Sequence, residues 1–383
     1  MPQQYLTFRP RRAALWLAGL ALMLSAGAAS AHGGHGGFND NTWNVWAFEP
    51  GVIVPLALVC LIYLAGIWRR GIGHSALQGW RHLAFAGGIL SVFFALESPV
   101  DYAAEHLFMA HQVQHLLLRM IAPMLIALSA PQATMISGMP SGLRRGVLTP
   151  FMGNGVLRRI FAWLTGPVVV TVLFLAALYV WELPAYHDAA LLNDNLHDTM
   201  HVTMLIAGLL FWWRIFDTRP APAGLGYGTR LMMLWLVILS NIGLGAYTTL
   251  KSVTLYPAYD QVGRLFDVLP LTDEMVGGFI IWVPSSMMCV VALLIVIHFW
   301  GRQETRAEEK RQTSAAHAAL YPTTGAQLRA QAKRKNNVLA IGIAAFMAAV
   351  FAAAIFAGVL SHLDTERHGL FVHAAAAPHS VVR

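Results

Sequence analysis

Eight runs of mostly apolar residues, 51–68, 80–96, 107–130, 163–181, 197–216, 231–250, 276–300 and 338–360, divide the chain. Each approaches or exceeds the roughly 20 residues that cross a bilayer as helix, whereas the strands of a membrane barrel give short segments of alternating polarity. The pattern predicts an all-α fold, a polytopic membrane helical bundle. A charged stretch, 301–337, isolates the last run and is expected to be weakly ordered, as is the tail 361–383 with its Ala374 to Ala377 run. The expected architecture is therefore a seven-helix core at 51–300, a cytoplasmic charged linker, an eighth helix at 338–360, and a tail.

The start of the chain reads differently. Arg9, Arg11 and Arg12 precede an apolar stretch at 13–24, too short to span well, and then Ala29-Ser30-Ala31. A basic start, a short apolar run and a small-x-small site are the pattern of a secretory signal peptide, expected at 1–31 with cleavage after Ala31. A His/Gly-rich segment, 32–50, follows. No internal repeat stands out.

Composition agrees with the hydrophobic pattern. Charged residues are 12% and hydrophobic residues 57% of the chain, with a mean hydropathy of +0.55, against about 25% charged in a soluble domain. The net charge of +7 reports topology rather than nucleic acid, since no base-reading motif accompanies it. With the mature N-terminus outside, 18 Arg and Lys fall on inner segments and four on outer ones. The positive-inside rule then places the protein in a bacterial inner membrane with both mature termini periplasmic. Cys60 and Cys289 lie far apart in apolar runs and form no metal or redox motif.

On that topology twelve of the sixteen histidines lie outside or in outer membrane halves, which points to metal or haem chemistry at the periplasmic face. In the third span Asp101, Glu105, His111, His115 and Arg119 share one face of a continuous helix. His111 and His115, one turn apart, have the spacing at which two imidazoles bind one metal. In the fifth span His197, Met200, His201 and Met204 form a second stripe, and imidazole with thioether suits Cu(I). The bland alternative is a packing stripe with interhelical hydrogen bonds; two pairs at similar depth favour ligation. A mature start at His32-Gly-Gly-His35 offers a flexible Cu(II) site, or only chance histidines in a Gly-rich segment. Arg119 is an isolated intramembrane cation, and Pro123 cannot bond its carbonyl, which predicts a kink there.

At several of these positions the sequence resembles a known family. Glu97-Ser-Pro99-Val-Asp101, Ala110-His111-Gln-Val-Gln114-His115, Leu183-Pro-Ala-Tyr186-His-Asp188, Gly208-Leu-Leu-Phe-Trp212-Trp213 and Gly277-Gly278-Phe-Ile-Ile-Trp282-Val-Pro284 look like the CtaG-type assembly factors of caa3-type cytochrome c oxidase. The resemblance runs from about Trp46 to Trp300. It implies a non-enzymatic role in maturing haem-copper oxidase, by supplying or holding copper, with oxidase subunits and periplasmic copper chaperones as partners beside the lipid bilayer. The family's histidine motifs fall on His111, His115, His197 and His201, while Arg119, His187 and the extra C-terminal helix depart from its pattern. Two other classes stay open: a membrane cytochrome with haem b held by one histidine from each span, and a copper permease, which the apolar inner halves of both spans disfavour. Nothing resembles a nucleophile and base constellation.

Overall fold

The computed structural model describes residues 46–70, 76–219, 224–313 and scattered positions between 333 and 352. Among the described residues there are helices and no strand. In chain order they are α1 Pro50–Arg70, α2 Ala76–Glu97, α3 Pro99–His106, α4 Phe108–His115, a π-helical turn Leu116–Ile121, α5 Ala122–Ser129 and α6 Gln132–Gly138. After a short helical stretch made of Ser141–Leu143, the π-helical Arg144–Leu148 and Thr149–Gly153 come α7 Gly155–Leu164, α8 Pro167–Glu182, α9 Pro184–Leu191, α10 Asp194–Ile215, α11 Tyr227–Leu250, α12 Ala258–Val262 and α13 Pro270–Thr313.

Among the described residues five helical stretches are long and apolar enough to cross a membrane: Pro50–Arg70, Gly79–Glu97, Phe108–Ser129, Tyr227–Leu250 and Pro270–Glu309. A sixth is the pair α7 and α8, if its two parts, bent by 59°, count as one span. Helix α10 has 22 residues but is less apolar, because Asp194, His197, Asp198 and His201 occupy its first half. The protein is a helical membrane bundle. The expected signal peptide, the segment holding His32 and His35, and the tail lie outside the described residues, as does the eighth helix apart from scattered helical positions.

Two expectations need correction. The linker expected from residue 301 begins as helix, since α13 runs on to Thr313. Its Gln, Glu, Arg, Ala and Lys residues are good helix formers, and prolonging a helix already nucleated adds one hydrogen bond per residue fixed. The helix expected to carry Asp101 through Arg119 on one face is interrupted at Leu107, whose φ of −137° and ψ of 125° are extended. Asp101 and Glu105 therefore do not share a continuous helical face with His111.

The chain forms two compact units, Met1–Thr229 with Thr254–Asp273, and Arg230–Val253 with Glu274 onward. In the first, α2 packs on α5, α1 on α6, and α10 on both α5 and α8. Pro123 has no N–H for the Arg119 carbonyl, and the backbone widens there into the π turn. The freed carbonyl instead accepts the indole N–H of Trp212 at 3.2 Å. At Gly208 an added Cβ would lie 2.6 Å from that carbonyl oxygen and 2.8 Å from Pro123 Cγ, so only glycine lets α10 approach this turn.

In the second unit α11 and α13 meet through Gly245 and Gly278. A Cβ at Gly278 would stand 2.6 Å from the Thr249 backbone nitrogen. The Trp282 indole donates to Thr249 Oγ1 at 3.3 Å, and Lys251 pairs with the buried Glu274.

Candidate metal centre

The break at Leu107 leaves the first N–H groups of α4 without helical acceptors. A carboxylate from far along the chain takes them: Asp273 accepts from the backbone N–H of Phe108 at 2.9 Å and of Met109 at 2.8 Å. Arg264 pairs with the same carboxylate. Helix α4 is thus anchored at its first turn, with His111 in the middle of the helix and His115, one turn further on, at its last residue.

Facing them, α10 begins at Asn193, whose side chain accepts from the Leu196 N–H at 3.1 Å, and presents His197 and His201. The structure brings both pairs together. Ring nitrogens of His111, His115 and His201 all lie within 4.8 Å of one another. The centroids of His197 and His201 are 4.4 Å apart, and those of His111 and His197 are 5.2 Å apart. All four side chains are buried.

A fifth imidazole joins them. His187, on the short helix α9, is fully buried, with its ring centroid 4.8 Å from that of His111. Its Nδ1 lies 3.0 Å from the Trp181 carbonyl, which can only accept, so Nδ1 carries the proton and Nε2 is the acceptor. The Tyr259 hydroxyl, 2.9 Å from that Nε2, donates to it. Its oxygen then accepts from His111 Nδ1 at 2.8 Å. This chain fixes the His111 tautomer with the lone pair on Nε2, a buried atom with no hydrogen-bond partner among the described residues. A ring held through one nitrogen with the other bare is the arrangement of a metal-ligating histidine. Burial pushes the His187 pKa down to about 4 and raises that of the Tyr259 hydroxyl, so the first stays neutral and the second stays a donor at neutral pH.

Around this core, Glu182 is buried with Oε1 3.8 Å from His115 Nδ1. Tyr256 holds it by donating to its carbonyl oxygen at 2.9 Å. Both ring nitrogens of His115 lack a hydrogen-bond partner among the described residues. Met204, a candidate ligand by its place on the α10 stripe, packs in an apolar cluster with Met200, Trp181 and Ala190. Arg119 is buried below His115, with its guanidinium carbon 4.0 Å from the centre of the Phe174 ring and Nε donating to the Phe174 carbonyl at 3.4 Å. Three or four convergent imidazoles suit copper or zinc, and the cluster contains no thiolate.

Periodicity located the two histidine pairs but not Tyr259, His187 or Asp273. The one local signal was the repeated Pro-Ala-Tyr of residues 184–186 and 257–259, in two segments that the hydrophobic pattern leaves between spans.

The family described as cytochrome c oxidase caa3 assembly factor (Caa3_CtaG) matches residues 61–303, which hold all five histidines of the cluster and Tyr259. The chain belongs to this family. Among curated proteins it is similar to uncharacterised proteins of Mycobacterium bovis and Mycobacterium tuberculosis, each 25% identical over 285 residues, covering 71% of this chain and 42% of the relative. A Mycobacterium leprae protein is 25% identical over 287 residues, covering 72% of this chain and 43% of the relative. The chain thus spans less than half the length of these relatives. No solved structure matches it significantly.

Proposed function

We propose that this protein is a non-catalytic assembly factor for haem-copper cytochrome c oxidase, and that it holds copper as cargo on His111, His115 and His201, with His197 completing the set. The observation that carries the reading is the convergence of histidines from α4 and α10 inside a chain of the caa3 assembly-factor family. The buried His111 Nε2, without a hydrogen-bond partner among the described residues, is a donor of the kind such an ion requires. His187 and Tyr259 orient that donor, and Glu182 sets a buried carboxyl oxygen 3.8 Å from His115 Nδ1, beside the ion this site would hold.

The basic bias of the segments assigned to the inside supports a cluster toward the periplasmic side of the inner membrane, where it would exchange copper with periplasmic chaperones and the oxidase. Haem b fits the cluster less well. Five imidazoles with neighbouring centroids 4.4 to 5.9 Å apart have room for an ion, whereas a macrocycle between any two would displace the rest. Onward transport is disfavoured by Arg119, a buried cation below the cluster on the inner side.

The test is purification in mild detergent followed by metal analysis and an absorption spectrum, together with oxidase activity in cells lacking the protein. Copper without a Soret band, and an oxidase deficient in copper, are expected. A Soret band, or a fully metallated oxidase in its absence, overturns the reading.

A further inference from the structure

Residues 131–181 contain no Asp or Glu, yet they hold Arg144, Arg145, Arg158 and Arg159. Among the described residues none of the four guanidiniums pairs with a carboxylate, whereas nearby Arg214 and Arg219 are both tied to Asp217, at 3.2 and 2.7 Å. Two of the four lie on α7. At 100° per residue Val156, Leu157, Ile160, Phe161, Trp163 and Leu164 fill one arc of roughly 160°, and Arg158 and Arg159 fall just beyond its two edges.

Helix α7 is set apart from the span that follows it. Asn154 caps it by accepting from Val156 and Leu157 N–H, Thr165 and Gly166 end it, and α8 departs at 59°. One side of its apolar arc touches the bundle, where Phe161 meets Trp213 with centroids 5.8 Å apart. The rest is uncovered: Val156 is 62%, Ile160 50% and Trp163 66% exposed. A helix with an apolar face edged by arginines matches a bilayer surface, where the face sinks below the headgroups and the guanidiniums reach phosphate.

We infer that α7, with the preceding π-helical segment Arg144–Leu148 that carries Arg144 and Arg145, lies in the plane of the arginine-rich leaflet and binds anionic phospholipid through these four arginines. The occupant follows from charge: four cations and no carboxylate select an anionic headgroup over a zwitterionic one. The segment would fix the depth of α8 and, through Phe161 and Trp213, of the inner end of α10, whose other half carries His197 and His201.

The full-length protein in nanodiscs tests this. Trp163 emission, isolated by subtracting the Trp163→Phe variant, is measured with lipids brominated high on the acyl chain, either phosphatidylglycerol or phosphatidylcholine in otherwise equal mixtures. Strong quenching is expected, several-fold greater when bromine is on the anionic lipid, with that preference falling roughly two- to fivefold per arginine in Arg158→Gln and Arg159→Gln. The wild-type measurement in high salt, where the preference should shrink, keeps the test independent of variant folding. Quenching by aqueous iodide but not by bromolipid overturns the interfacial placement. Equal quenching by both lipids overturns the anionic selectivity. Protection from both quenchers means that protein covers this face and also refutes the proposal.

Discussion

Tyr259 is the residue on which the geometry of the cluster turns. Its hydroxyl links His187 to His111 and leaves His111 Nε2 bare. Tyr259→Phe preserves the buried ring but releases both imidazoles, and should weaken copper affinity by about 10- to 100-fold while membrane level stays unchanged. A metal titration of the purified variant checks this; unchanged affinity would make the hydroxyl a packing feature. Met204 behaves differently, because it sits among Met200, Trp181 and Ala190. Met204→Leu should leave copper affinity near wild type, with a stability cost below about 1.5 kcal/mol. A large loss of affinity would show that the thioether reaches the ion after all. The two histidine pairs were legible in the sequence because i, i+4 spacing survives within each helix. Tyr259 was not, since its partnership depends on a loop folding back across long sequence separation.

Among the elements, α4 is short and starts at an extended residue, so its direction depends on the cap that Asp273 supplies. Asp273→Ala should cost about 1 to 2 kcal/mol, the range of a lost N-cap, and raise hydrogen exchange at Phe108 and Met109 above that of the rest of the helix. Equal protection in variant and wild type would remove the cap from the account. The corner after α10 gives a prediction in pH. Burial pushes the Asp217 carboxyl up, but the Arg219 and Arg214 guanidiniums outweigh that and hold it below its ordinary value. A depressed carboxylate stabilises fully above its unfolded pKa, about 4, and the contribution is lost as pH falls through the native value. Protection of the Arg219 amide, which Asp217 Oδ1 accepts at 3.0 Å, should therefore persist from neutral pH to about 4 and fall only below it. Loss of protection near neutrality would contradict this. Hydrophobic period predicted the helical segments, but not the Leu107 break or the helical start of the 301–337 linker. The first is set by a distant carboxylate and the second by propagation from an apolar helix, neither of which a local window contains.

For the whole molecule, the family match and the apolar helices establish a membrane bundle, and the proposed copper role rests on the buried cluster within one compact unit. Orientation comes from the basic bias alone: a reporter fused after Arg302 should be cytoplasmic and one after Asp188 periplasmic. The reverse at both sites would move the cluster to the other face. The most direct measurement is copper titration of purified full-length protein beside the double variant His111→Ala, His201→Ala, with membrane abundance and monodispersity as controls. The wild type should bind one buried copper with nitrogen ligation by X-ray absorption, and the double variant should lose it, since removing two ligands acts on affinity while insertion is carried by the apolar helices. Stoichiometric copper at wild-type affinity in the double variant would contradict the account.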